Sequence, residues 1–266
     1  MPEQTFANYH THTARCHHAE GADEASVQAA IRQGYHVLGF SDHTPWAGGE
    51  LSRQVAHIRM EPERLEEYVA SLRALGAKYA GQLRLHIGLE AEYFPALLPW
   101  LLEQKERLGI EYLLLGCHYD QPGAGSVYLG RATAARELRR YAGLVEAGLE
   151  SGAYACLAHP DLCLRRWPDF DAEAEAASRQ ICAAAARTGT PLEYNLAGWL
   201  APCPPGGLGY TTDAFWRVAA EYPVQVIVGS DAHAPGELAD QARLRERQAW
   251  LRGLGLRVLD TLPGLE

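Results

Sequence analysis

The residues of this chain most able to do chemistry are its histidines, and their placement is regular. His10-Thr-His12, His18, Ser-Asp42-His43, Gly-Leu-Glu90, Gly-Cys-His118, Ala-His159-Pro and Ser-Asp231-Ala-His233 each close or directly follow a short apolar, β-rich run. Helix-like segments separate the runs. In a barrel of parallel strands, side chains at successive strand ends converge on one mouth. Imidazoles in that number, with one Glu and one Asp, are more ligands than a single metal ion can use, so the pattern implies a multinuclear metal site. His10 and His12, two apart on an expected strand, point to the same face. Asp231 and His233 repeat that geometry if their strand runs on to residue 233. Imidazole with carboxylate suits Zn, Fe, Mn or Co, whereas Ca or Mg alone prefers oxygen. His36, His57 and His86 end no such run and read as ordinary core or surface histidines.

The elements that must position these groups follow from periodicity. Seven strands are expected, at about Phe6–His12, His36–Asp42, Leu83–Glu90, Glu111–His118, Tyr154–His159, Pro191–Leu196 and Val224–Asp231, with room for an eighth near Leu256–Leu259. Continuous apolar stretches such as Leu113-Leu-Leu115 and Val226-Ile-Val228 fit strands covered on both faces. Leu65, Tyr68, Val69, Leu72 and Leu75 recur at helical spacing after Pro62, as do Leu138, Tyr141, Val145 and Leu149. An alanine-rich helix is expected over Ala172–Arg187 with Asp171 as its N-cap, and a last helix from about Glu237 to Leu251. The alternation predicts an α/β fold, a distorted, TIM-barrel-like (β/α)7 barrel forming one domain over residues 1–266. The Pro/Gly-rich Ala201–Gly209 reads as a long loop beside the substrate pocket.

Composition narrows the partners. The chain has 266 residues, 47% hydrophobic and 21% charged, with a formal net charge of −9, ample for a sizeable core and unsuited to long nucleic acid. Six cysteines without a Cys-x-x-Cys pair read as reduced core thiols, and no targeting signal or apolar stretch of membrane-spanning length is seen, so a cytoplasmic protein is expected. Oligomeric state has no sequence signature here.

The ordered motifs His-x-His, His, Asp-His, Gly-x-Glu, His, His-Pro and Ser-Asp-x-His resemble those of the PHP (polymerase and histidinol phosphatase) superfamily. His10-Thr-His-Thr-x-x-Cys-x-His18-x-Glu-Gly, Gly-Leu-Glu90-Ala and Gly-Ser-Asp231-Ala-His are most similar to its histidinol-phosphate phosphatase branch. The resemblance covers nearly the whole chain. It implies three divalent ions (Zn, Fe or Mn): the first on His10, His12, Glu90 and Asp231, the second on a bridging Glu90 with His118 and His159, the third on His18, His43 and His233. His17 competes with His18, which family spacing favours. Three such ions against two carboxylates leave about +4 in the first shell, a pocket suited to a small phosphate monoester. Clustered ions bind phosphate oxygens and acidify a bridging water to hydroxide for in-line attack on phosphorus. The implied substrate is L-histidinol phosphate of histidine biosynthesis. The alternatives are another small phosphate or mononucleotide, or a non-catalytic metal-binding module.

Groups around the metals are less determined. His43 and Asp161 are suspects for protonating the leaving alkoxide. Asp42 and Glu92 lie beside ligands, where they could orient imidazoles. Arg59, Arg165 and Arg166 are candidates for gripping phosphate. Histidinol phosphatases commonly follow the sixth strand with Asn-Thr-x-Gly-Leu-Arg, but this chain has Asn195-Leu-Ala-Gly198-Trp199-Leu200. Either Arg59 or Arg165 compensates for that arginine, or a different, more apolar group stacks on Trp199.

Overall fold

The short apolar runs do become strands, most of them buried on both faces. In the computed structural model, which describes residues 6–46 and 54–266, these are β1 (Ala7–Asn8), β2 (Val37–His43), β3 (Arg84–Ala91), β4 (Tyr112–Leu115), β5 (Cys156–Leu157), β6 (Leu192–Asn195), β7 (Gln225–Gly229) and β8 (Arg257–Val258). They form one sheet in chain order with every neighbouring pair parallel. Between them lie α1 (Asp23–Arg32), α2 (Leu65–Tyr79), α3 (Leu98–Leu108), α4 (Ala135–Glu150), α5 (Ala172–Thr188), the short α6 (Leu196–Leu200), α7 (Asp213–Ala219) and α8 (Gln241–Gly253). Among the described residues no helix is long and apolar enough to cross a membrane.

The barrel is distorted where it closes. β8, the eighth strand, pairs only with the start of β7, through Gln225 and Val226. Beyond the end of β7, Thr11 bridges Ala232 in parallel, with His12 N donating to Ala232 O at 2.9 Å and Ala232 N to His10 O at 3.2 Å. Buried Asn8 ties the same seam: its Oδ1 accepts from Ser230 N at 2.7 Å while its Nδ2 donates to Thr11 Oγ1 at 2.7 Å. The segments that follow β1 and β7 thus meet beside the His10–His12 segment.

β5 and β7 end earlier than the sequence suggests, and the reason is local. His159 and Asp231 adopt left-handed conformations, with φ of 31° and 51°, which no strand can contain. The ladder therefore stops before these residues, and the expected continuation of the seventh strand to residue 233 does not occur. Helix ends follow their caps. Asp171 accepts from the amides of Glu173 and Ala174, as its sequence position predicts. The last helix starts at Gln241 rather than Glu237, because Asp240 caps it and Glu237 instead accepts from the amides of His233 and Ala234.

Two apolar layers result. The larger lies between strands and helices and includes Leu38, Phe40, Leu89, Leu113, Leu115, Tyr141 and Trp216. The smaller fills the barrel interior with Tyr9, Tyr112, Leu114, Cys156 and Ile227, closed below by Leu262 and Leu265. Tyr112 is the central piece: its hydroxyl donates to Tyr9 O at 2.6 Å, and its ring occupies the space a Cβ would need at Gly39 or Gly88. Five of the six cysteines are buried and Cys203 is exposed; none is paired.

Gly88→Ala is expected to destabilise the fold by about 1–3 kcal/mol through overpacking against Tyr112. Gly81→Ala, where a Cβ meets nothing within 4 Å, should stay within about 0.5 kcal/mol of wild type. Urea unfolding of the two variants tests this, and equal midpoints would show that the interior yields at Tyr112.

Candidate metal centre

Above the Tyr112 plug, the strand ends carry polar groups inward around Glu90. Register places His43 on β2 directly beside Glu90 on β3, and the His43 Nδ1–Glu90 Oε2 distance is 3.0 Å. Glu90 Oε1 lies 2.7 Å from His159 Nε2 and 3.3 Å from His118 Nε2. Glu90 Oε2 lies 3.5 Å from His10 Nε2 and 3.7 Å from His12 Nε2. Asp231 Oδ1 completes the set, 3.4 Å from His10 Nε2 and 3.2 Å from His12 Nε2. Gly116 makes this possible, since a Cβ there would run into the Glu90 carboxylate.

The donor atoms facing this centre are poorly satisfied by one another. His10 Nε2, His12 Nε2, His43 Nδ1 and Glu90 Oε2 are buried without a hydrogen-bond partner, the last two lying 3.0 Å apart but not in hydrogen-bonding geometry, a costly state unless another species supplies partners. Four donors about 2.0–2.1 Å from a tetrahedral zinc ion would lie roughly 3.3 Å apart. The four contacts joining His10 and His12 to Glu90 and Asp231 span 3.2 to 3.7 Å. Both the orphaned atoms and their spacing therefore fit a divalent ion.

The outward ring nitrogens are held by carboxylates. Glu193 Oε1 contacts His10 Nδ1 at 2.8 Å, Asp42 Oδ1 contacts His12 Nδ1 at 3.3 Å, and Glu92 Oε1 contacts His118 Nδ1 at 3.3 Å. Each contact fixes ring orientation and leaves Nε2 for the centre, the arrangement metal-bound histidines use. Sequence reasoning names Asp42 and Glu92 but misses Glu193. The available signal was a carboxylate inside the apolar strand Leu192–Asn195. Gly229 provides its space, because a Cβ there would strike the Glu193 carboxylate.

Electrostatics agree with the geometry. Burial would raise Glu90 and Asp231, but the surrounding imidazoles hold both well below the usual carboxylate range. Burial would lower His10 and His12, yet the carboxylates hold both well above the usual imidazole range. The same negative field is what a cation would meet. His233 is pushed down to about 4 by burial and by His12.

The structure gathers all nine sequence-derived candidates but partitions them less cleanly than the resemblance implies. Mutually close donor sets are His10, His12 and Asp231; His10, Glu90 and His159; His43, Glu90 and His118; His12, His43 and His233; and His12, Cys16 and Asp42. His18 Nε2 lies 2.9 Å from His233 Nε2. His17, in a left-handed conformation with φ 66°, turns outward and contacts Glu61 at 3.1 Å. The turn thus sends His18, not His17, toward the cluster.

The cluster opens into a cavity of about 930 Å³ whose wall includes Tyr128, Arg131, Arg165, Leu200, Tyr210 and Arg243. Several expected substrate residues lie elsewhere. Arg59 is buried and pairs with Glu92, also donating to Thr44 O at 3.1 Å, so it braces the carboxylate behind His118 and is not free for phosphate. Arg166 is exposed and outside the cavity wall. Trp199 faces away, with the Arg247 guanidinium 4.3 Å over its ring, and Leu200 and Ala201 line the wall in its place. Asp161 is buried behind the wall, accepting from Thr212 N at 2.7 Å. His57, read from sequence as ordinary, lines the cavity with Arg131 and Arg243, neither of which motif spacing identifies.

Comparisons with known proteins match this picture. Residues 8–197 match the model of the PHP domain family. Over 238 residues, covering 86% of each chain, the sequence is 31% identical to a Deinococcus radiodurans protein named "Probable histidinol-phosphatase". The fold aligns with the crystal structure of histidinol phosphate phosphatase from Lactococcus lactis, complexed with zinc, L-histidinol and phosphate. That alignment has a TM-score of 0.74 at 18% identity and covers 99% of both chains.

Two outcomes are expected of the centre. Glu193→Ala should weaken metal affinity roughly 10–100-fold by freeing the His10 ring, read by chelator competition; unchanged affinity would show that the strand alone orients His10. Elemental analysis should find His18→Ala short of one metal equivalent and His17→Ala at wild-type content, the reverse result placing the register one residue off.

Proposed function

The chain belongs to the PHP domain family, and from that premise we propose that this metal-dependent phosphatase hydrolyses L-histidinol phosphate. The observation that carries the proposal is the donor cluster around Glu90, with its orphaned buried atoms, at the floor of a cavity walled by arginine and tyrosine. The names of the Deinococcus radiodurans relative and of the Lactococcus lactis structure support the choice of substrate.

His10, His12, Glu90 and Asp231 would hold one divalent ion, Glu90 with His118 and His159 a second, and His18, His43 and His233 a third, the ions being zinc, iron or manganese. Ions held there would supply Lewis acidity, neutralising phosphate charge and acidifying water. The protein's own contribution is orientation and enclosure. Glu193, Asp42 and Glu92 lock the rings; Arg165, lining the cavity beside Tyr128, is available to a phosphate oxygen. Tyr128, Tyr210, Leu162 and Leu200 offer an amphipathic wall on which an imidazole ring can stack.

Metal-replete protein should turn over L-histidinol phosphate with kcat/KM above about 10⁴ M⁻¹s⁻¹, and faster than sugar phosphates, amino-alcohol phosphates or mononucleotides. A higher value for another monoester would replace the substrate and keep the phosphatase. A loaded protein inert toward the whole panel would make the site a non-catalytic metal module. Chelation should abolish turnover and divalent ions restore it, while Glu90→Gln should cost on the order of a thousandfold or more in kcat, since a Lewis-acid contact contributes several kcal/mol.

A further inference from the structure

Helix α8 carries four arginines, and three of them have partners. Arg245 donates to Gln241 and lies over the Phe6 ring, Arg247 pairs with Glu246 and covers Trp199, and Arg252 pairs with Asp260. Arg243 is different. It is half-buried, lines the catalytic cavity, and its guanidinium has no hydrogen-bond or ion-pair partner among the described residues.

Its position is fixed from both sides. Asp240 accepts from the Arg243 amide at 2.8 Å, and Gln241 Nε2 donates to Gly34 O at 3.3 Å, anchoring the first turn. One turn further on, Arg247 stacks on Trp199, the neighbour of Leu200. Residues four apart share a helix face, so the contact that clamps α8 onto Trp199 also directs Arg243 to the wall it shares with Leu200. A half-buried guanidinium without an anion bears a desolvation cost that a bound anion would remove.

We propose that Arg243 grips the phosphate group of the substrate, supplying from α8 the positive charge that is absent at Leu200. The inference rests on the phosphatase reading above and refines it. The organic part of histidinol carries an ammonium and an imidazole, which an arginine would not attract, so the phosphate is the group that Arg243 recognises. The bidentate fork matches two phosphate oxygens.

The experiment titrates inorganic phosphate and L-histidinol, each alone, into metal-loaded wild type, Arg243→Gln and Arg243→Lys by calorimetry, with metal content measured alongside. The Kd for phosphate should rise roughly tenfold or more in Arg243→Gln, a loss typical of one charge-assisted hydrogen bond. Arg243→Lys should recover part of it, while L-histidinol binding and metal content stay at wild-type values. Phosphate binding within twofold of wild type in Arg243→Gln would overturn the proposal, and a selective loss of L-histidinol binding would move Arg243 to the organic end. Because phosphate binding does not depend on which monoester is hydrolysed, a different preferred substrate in the turnover panel would leave this result standing.

Discussion

A carboxylate held at 1% exposure within 4 Å of five imidazoles is the constraint around which this protein is built. Glu90 sits near the end of β3, and the rings around it come from the ends of four other strands. Their meeting requires strand register, since His43 faces Glu90 only because Val37 pairs with Arg84 at the start of the same ladder. It also requires removal of side chains: Gly116 and Gly229 vacate the volumes that the Glu90 and Glu193 carboxylates fill. Below them Tyr112 takes the opposite role, a large ring filling space that Gly39 and Gly88 leave open. Small residues opposite large ones let one narrow barrel hold a dry plug at one end and a polar centre at the other.

Holding such a centre is costly, and the costs fall where function would be. His159 and Asp231 both occupy left-handed backbone conformations, each a local strain on the order of 1 kcal/mol or more for a residue with a Cβ. Buried ring nitrogens and a carboxylate oxygen lack partners. The surrounding carboxylates relieve part of this by fixing the rings, and Arg59 in turn neutralises Glu92, bringing its carboxyl down to about 2 against the opposing effect of burial. The remaining imbalance is one that cations resolve. Metal binding and stability are therefore linked, as in any site whose donors are assembled only by folding.

Much of this was legible in the sequence because ligands must be specific residue types at strand ends, and strand ends are visible as edges of apolar runs. The cluster from His10 to His233 and the parallel barrel order followed from that rule. What escaped notice depends on three-dimensional neighbours. Glu193 looks like a misplaced charge until Gly229 and His10 are seen beside it. Arg59 looks like a phosphate ligand until its salt bridge to Glu92 is known. Trp199, which the sequence offered as a stacking surface for substrate, is claimed by Arg247 from a helix almost fifty residues away. The early ends of β5 and β7 escaped for a different reason: periodicity cannot report that His159 and Asp231 turn into positive φ.

The charge distribution joins these parts to function. The chain is acidic, with a net charge of −9, yet its central cavity gathers Arg131, Arg165 and Arg243 above a nest of donors suited to divalent ions. A polyanion would meet the acidic surface along most of its length and gain from the cavity only at one point. A small phosphate dianion has the opposite balance, since it can enter the cavity whole and leave the repelling surface behind. Field lines confined by low-dielectric walls then act on it at short range. On the proposed reading, selectivity for a small monoester would be set at two scales, by the overall charge that discourages long ligands and by the few arginines that reward a compact one.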